Sequence, residues 1–173
     1  MKNTLEPYLT PGEIKSIVRG LAGRIRRDYR GKNPMLVCVL KGAAVFMSDL
    51  MRELDMDVEA AFIQSSTYGK RKTPAGEPDI SGDITSPVKG RDVIIVEGIV
   101  DRGITVKTVM ERIGALAPSS IKVCALLLRE GPVETQPAVD YAGRTIGEGF
   151  VVGYGMDYME KYREKPGLYF LKA

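Results

Sequence analysis

Residues 91–105 read RDVIIVEGIVDRGIT. Val93-Ile94-Ile95-Val96 is a short, continuous apolar run that leads straight into Glu97. Such a run, bounded by polar residues, marks a strand buried on both faces. Asp101, Gly103 and Thr105 follow, and Val106, Val109, Met110 and Ile113 then recur at helical spacing over a helix from about Gly103 to Leu116. A buried strand that ends in carboxylates and opens through glycine into a helix N-terminus offers backbone N–H groups and the positive end of a dipole. A sugar phosphate suits such a place.

The same texture repeats on either side. Thr10-Pro11-Gly12-Glu13 opens a first helix with a hydroxyl N-cap, proline at the first position and glutamate at the third. Ile14, Ile17, Val18, Leu21 and Ile25 give that helix an apolar face, and Lys15, Arg19, Arg26 and Arg27 a basic one. Met35–Leu40 reads as a buried strand, Gly42–Leu54 as a helix through Val45, Phe46, Leu50 and Leu54, and Val58–Ile63 as a second strand. Asp92–Val96 is the third strand and Ile121–Leu128 the fourth; the remainder reads as short strands and loops, clearest at Phe150–Val152 and Leu168–Leu171. Strand and helix alternating in this way predict an α/β fold: an open, mostly parallel twisted sheet flanked by helices. Ligands of such sheets bind at the carboxyl ends of the strands. The chemistry is therefore expected just after Leu40, Ile63, Val96 and Leu128.

The bulk numbers fit one domain. The chain has 173 residues, 44% hydrophobic and 27% charged, with a net charge of +3. That charge is too weak to argue for nucleic acid and suits an anionic small ligand. Cys38 and Cys124 both lie in apolar runs, which argues for a reducing compartment rather than a disulfide framework. No run reaches the length of a membrane span and the N-terminus has no signal-peptide core, so a cytoplasmic protein is expected. There is no histidine, which excludes His-based triads and His-ligated metals. Any general base must be a carboxylate, lysine or tyrosine.

Each strand end carries candidates. Lys41 and Gly42 after the first strand pair a cation with a glycine that lets the backbone approach an anion. A polar stretch over about residues 64–83 reads as a lid or a flexible insert, and Ser66, Thr67 and Tyr68 begin it. Glu97 suits ribose hydroxyls or Mg2+ through water, and Asp101 is a candidate acid/base. Arg129 ends the fourth strand, Asp157 closes a Gly-Tyr-Gly turn as a candidate metal ligand, and Arg163 follows it.

Together these residues resemble the type I phosphoribosyltransferases, and among them the 6-oxopurine enzymes. VIIVEGIVDRGIT is similar to the family's phosphoribosyl diphosphate loop, Leu40-Lys41-Gly42 to its pyrophosphate loop, and Ser66-Thr67-Tyr68-Gly69 to its flexible loop. FVVGYGMDY, residues 150–158, resembles its purine-stacking and metal-binding segment, with Tyr162-Arg163 following at the expected place. The resemblance spans essentially the whole chain. It implies one phosphoribosyltransferase domain over residues 1–173, with a small hood built from the C-terminal segment, about 129–173. It implies transfer of a phosphoribosyl group from phosphoribosyl diphosphate to a purine base (hypoxanthine or guanine), giving a purine nucleoside monophosphate and pyrophosphate. Mg2+ is the implied cofactor, and a homodimer or homotetramer the implied assembly. By the same resemblance, Asp101, Arg102, Gly103, Ile104 and Thr105 would hold the 5′-phosphate, and Glu97 would face the ribose. Asp101 would exchange a proton at purine N7. Lys41, Gly42 and Arg163 would contact pyrophosphate, the first two often through a non-proline cis peptide. Arg129, Phe150, Val151 and Asp157 would meet the purine, and Glu97 and Asp157 the metal.

The chain departs from the family pattern at three places. Gly98 stands where the family has a second acid, Arg102 where it has a small hydroxyl, and Arg129 where a lysine recognises O6 of the base. On this reading Gly98 is a lost carboxylate, and Gly98→Asp is expected to improve phosphoribosyl diphosphate binding. Two further readings stay open: a nucleotide-binding or regulatory protein on the same fold, and an enzyme for a different base.

Overall fold

Three apolar runs, Met35–Val39, Val93–Val96 and Val123–Leu127, are buried on both faces and form the centre of one sheet. The computed structural model describes residues 4–66, 79–82, 84, 87–131 and 138–172. Its elements are β1 (Thr4–Leu9), α1 (Pro11–Asp28), β2 (Met35–Leu40), α2 (Ala44–Leu54), β3 (Glu59–Ser66) and β4 (Asp79–Ser81), then β5 (Asp92–Val100), α3 (Ile104–Gly114), β6 (Ser120–Arg129), β7 (Tyr141–Ile146), β8 (Phe150–Val152) and β9 (Leu168–Lys172). The main sheet runs β4-β3-β2-β5-β6-β7. Its five strands from β3 to β7 are parallel, and β4 alone is antiparallel, at the edge. The expected α/β architecture is present.

The helices cover both faces. On α1, Ile14, Val18, Leu21, Ala22 and Ile25 are buried, and the expected capping box closes its first turn: Glu13 N–H donates to Thr10 Oγ1 at 3.3 Å and Thr10 N–H to Glu13 Oε2 at 2.8 Å. Phe46, Met47, Leu50 and Leu54 of α2 join the same core, with Ile94 and Val96 of β5. Val45 does not; it is exposed and lies beside Gly155. Val109 and Ile113 of α3 pack on the opposite face of the sheet, over Val93 and Ile95.

Three boundaries differ from the sequence reading. Strand β5 runs on past Val96 to Val100, because β6 keeps pairing with it: Glu97 faces Ala125, Ile99 faces Leu127 and Val100 faces Leu128. Glu97 and Gly98 therefore lie inside a strand, and the loop begins at Asp101. Strand β3 continues to Ser66, since antiparallel pairing with β4 satisfies its polar end. Of the expected lid residues, Thr67 and Tyr68 lie outside the described residues, as does most of 64–83. Finally, a small antiparallel sheet, β1-β9-β8, stands apart from the main one. It takes β8 and β9 from the C-terminal segment and is completed by the N-terminal β1, while β7 belongs to the main sheet. Among the described residues, no helix is long and apolar enough to cross a membrane.

Candidate active site

The chain leaves β2 toward β3 on one side and leaves β5 toward β6 on the other. The strand order therefore reverses between β2 and β5, and a crevice opens at their carboxyl ends. The β2 end supplies Lys41 and Gly42, through a cis peptide between Leu40 and Lys41. The β5 end supplies Asp101 to Thr105, and the β6 end supplies Arg129.

Helix α3 begins at Ile104 with Gly103 as its N-cap, in the left-handed region at φ 76°. No side chain caps it and its first turn holds no acid. The N–H groups of that turn and the helix dipole are thus directed at the crevice mouth, beside exposed Arg102 and Ile104.

Asp101 does not stand alone in this loop. Arg129 Nε lies 2.7 Å from Asp101 Oδ1, with the Arg129 side chain only 20% exposed and that of Asp101 56%. The rest of the guanidinium reaches the next loop: Nη1 donates to the Gly147 carbonyl, and Nη2 to that of Gly149 at 2.8 Å. Gly149 leads into Phe150, which is 44% exposed and whose ring meets that of Tyr158 edge-on at 5.5 Å between centroids. Arg129 thus ties the candidate acid/base to the start of the candidate purine platform. Val151, next in β8, is buried.

Glu97 is half-buried in β5 and accepts the Gly98 N–H at 2.9 Å. Burial pushes its carboxyl up to about 8, against the partial relief of backbone N–H groups from Gly98 and Ile99.

Gly98 is closely packed against the β2 loop. A Cβ there would lie 3.2 Å from the Gly42 carbonyl oxygen, and one at Gly155 would lie 2.7 Å from the same atom. The Gly42 carbonyl is seated between these two glycines, so a side chain at Gly98 would press on the β2 loop. Gly155 also has φ 94°, which an L side chain rarely adopts. Tyr154, just before it, donates its buried hydroxyl to Asp49 on α2 and so anchors this segment to the helix.

The remaining candidates form one charged chain. Arg163 Nη2 pairs with Asp157 Oδ1 at 2.8 Å and with Glu160 Oε2 at 3.1 Å, and its Nη1 donates to the Gly155 carbonyl at 2.8 Å. Lys41 Nζ pairs with the other oxygen of Glu160, also at 3.1 Å. Asp157 Oδ2 accepts the Glu160 N–H at 2.8 Å. Sequence reading missed both Glu160 and Asp49. In the run Glu160-Lys161-Tyr162-Arg163-Glu164-Lys165 alternating charge looks like a solvated face, and no local signal singles out Glu160.

Among the described residues no three carboxylates or thiols gather as a metal cage. Mg2+ does not need one: it commonly takes one or two carboxylates and completes its shell with water and substrate phosphates. Asp157 and Glu97 are carboxylates of the kind that donor set uses, the first paired with Arg163 and the second accepting the Gly98 N–H.

A match to the phosphoribosyl transferase domain family covers residues 6–159. The hypoxanthine phosphoribosyltransferase of Salmonella typhimurium is 36% identical over 168 residues, 96% of this chain and 94% of that protein. A bifunctional protein TilS/HprT of Listeria monocytogenes is 36% identical over 99% of this chain, which spans 27% of that longer protein. The crystal structure of a hypoxanthine-guanine phosphoribosyltransferase from Bacillus anthracis is similar with a TM-score of 0.88 at 31% identity, covering 99% of this chain and 100% of that one. With the sheet, the switch-point crevice and the strand-end residues in place, these matches mean that the chain belongs to the phosphoribosyltransferase family.

Proposed function

We propose that the protein transfers the 5-phosphoribosyl group from phosphoribosyl diphosphate to a 6-oxopurine, hypoxanthine or guanine, releasing pyrophosphate and IMP or GMP. The observation that carries this reading is the bridge from Asp101 through Arg129 to the loop that leads into Phe150. It joins the candidate acid/base to the loop leading into an exposed aromatic ring, and this supports a shared site beside the uncapped N-terminus of α3.

In this reading the N-terminus of α3, with Arg102 and Thr105, takes the 5′-phosphate. Phe150 stacks on the base and the Val151 backbone meets its edge. Purine N9 attacks C1′ as the bond from C1′ to the pyrophosphate oxygen breaks. Asp101 accepts the N7 proton, which leaves the neutral base on the product. Positive charge grows on the ribose, where Glu97 faces it, and negative charge on the leaving group, where Lys41 and Arg163 lie. Asp157 and Glu97 would hold Mg2+, which would supply positive charge to neutralise the diphosphate. The buried, free thiols of Cys38 and Cys124 support a reducing, cytoplasmic setting. Assembly into a homodimer or homotetramer belongs to the same reading.

A changed base preference is the second reading. It rests on Arg129, whose donors are directed to Asp101, Gly147 and Gly149 where the family's lysine would face O6. One assay separates the readings: incubation with phosphoribosyl diphosphate, Mg2+ and, in turn, hypoxanthine, guanine, xanthine and adenine, following pyrophosphate release. Release with hypoxanthine and guanine is expected. Release only with xanthine or adenine favours the second reading, and no release with any base overturns both.

A further inference from the structure

Lys41 and Arg163 come from opposite ends of the chain, yet one carboxylate holds them both. Glu160 Oε1 lies 3.1 Å from Lys41 Nζ, and Glu160 Oε2 lies 3.1 Å from Arg163 Nη2. This is the two-point contact that a phosphate group makes with two cations.

The backbone is bent to produce it. Tyr158 and Lys161 exchange both hydrogen bonds at 3.1 Å, closing a hairpin around Met159 and Glu160. Those two residues have φ 51° and 60°. Turns with two positive φ values normally take Asn-Gly, because a side chain crowds the backbone there. Methionine and glutamate adopt this conformation at a cost, and Met159 recovers little of it, being 75% exposed. The second anchor is the Glu160 N–H on Asp157 Oδ2. The turn thus aims one carboxylate at two cations, Lys41 and Arg163, the second of which also pairs with Asp157 at 2.8 Å.

We propose that Glu160 is the resident anion of the pyrophosphate subsite: it bridges Lys41 and Arg163 in the free protein and is displaced when a diphosphate binds. It is a positioning residue, not a catalytic one. The inference rests on the assignment of Lys41 and Arg163 to pyrophosphate in the proposed function. Its physical consequence is a built-in competitor. Every diphosphate that enters must first break two ion pairs, and every pyrophosphate that leaves is replaced from within. Both pairs are solvent-exposed, so each is weak and the exchange is easy.

The test is binding of inorganic pyrophosphate to the full chain by calorimetry, with and without Mg2+, alongside steady-state kinetics. Glu160→Gln is expected to tighten pyrophosphate binding roughly 3–10-fold, the effect of losing one or two exposed ion pairs. The KM for phosphoribosyl diphosphate should fall in parallel, while the KM for the purine stays within about twofold. Glu160→Asp, which keeps the charge, should bind like the parent. A structural role alone predicts the opposite, weaker binding in Glu160→Gln. Unchanged or weaker binding in that variant overturns the proposal. Lys41→Ala and Arg163→Ala distinguish the two levels of inference. If either weakens pyrophosphate binding while Glu160→Gln fails to tighten it, the displacement idea falls and the site assignment stands. If the parent does not bind pyrophosphate, both fall.

Discussion

Arg129 Nε sits 2.7 Å from Asp101 Oδ1, and the same guanidinium donates to the carbonyls of Gly147 and Gly149. Adjacent parallel strands β5 and β6 make this possible, since Val100 pairs with Leu128 and the next residue of each strand enters the crevice. A lysine at this position has a single ammonium and cannot span a carboxylate and two carbonyls in one plane. The arginine therefore couples Asp101 to the loop that leads into Phe150.

Asp101→Asn is expected to lower kcat about 10²–10⁴-fold, the usual worth of a general base. The amide keeps the size and one acceptor of the carboxylate but takes up no proton. Binding of IMP, followed by titration, should stay within a few-fold of the parent. Turnover at the parent rate would remove Asp101 from the proton-transfer step.

Arg129→Lys should destabilise the protein by about 1–2 kcal/mol, through loss of hydrogen bonds from a charged donor to loop carbonyls. Its coupling to Asp101 is the sharper test. In urea unfolding of the two single variants and the Asp101→Asn/Arg129→Lys double, a coupling of about 0.5–1 kcal/mol is expected for a half-exposed pair. Additive effects would mean that the pair is a contact without energetic consequence.

Gly98→Asp is expected to weaken phosphoribosyl diphosphate binding, against the inference from sequence alone. Any side chain there meets the Gly42 carbonyl oxygen at 3.2 Å and its carbon at 3.4 Å, so the β2 loop must give way by a few tenths of an ångström. Gly98→Ala separates sterics from charge. Both variants should raise the KM for phosphoribosyl diphosphate, and Gly98→Ala should cost about 1 kcal/mol of stability. A lower KM in Gly98→Asp, with Gly98→Ala near the parent, would restore the view of Gly98 as a lost acid.

The contrast between Gly98 and its neighbours shows what the chain discloses by itself. Val93–Val96 and Met35–Leu40 are legible because strands buried on both faces must be continuously apolar. The Thr10 capping box is legible because its geometry is local. Strand β1 is not: Thr4–Leu9 is half exposed, contains Pro7 and owes its conformation to β9, more than 150 residues away. Strand β7, YAGRTI, lies at a sheet edge with half its residues polar or glycine, so no period marks it. Resemblance brought Asp101, Phe150 and Asp157 forward by type and order. It could not disclose that Gly42, Gly98 and Gly155 meet at one carbonyl, or that Glu160 bridges two cations, because both facts depend on loops from distant segments.

Glu97 supplies a pH dependence with a definite sign. Its carboxyl is raised from an ordinary 4.5 to about 8 by burial. Between these values the folded protein holds a proton that the unfolded chain has released. Stability from this group is thus fully present below about pH 4.5 and is lost as pH rises toward about 8, levelling off above. Glu97→Gln removes the titration while keeping an oxygen for the Gly98 N–H. In chelator-treated protein without substrate, the variant should match the parent near the acid end of this range. It should exceed it by on the order of 1–2 kcal/mol near the alkaline end, once solvent around the half-buried group is allowed for. Urea denaturation at intervals across the range measures the difference. Parallel curves for parent and variant would mean that Glu97 is ionised in the folded protein at neutral pH, and that it faces the ribose as a charge even before substrate arrives.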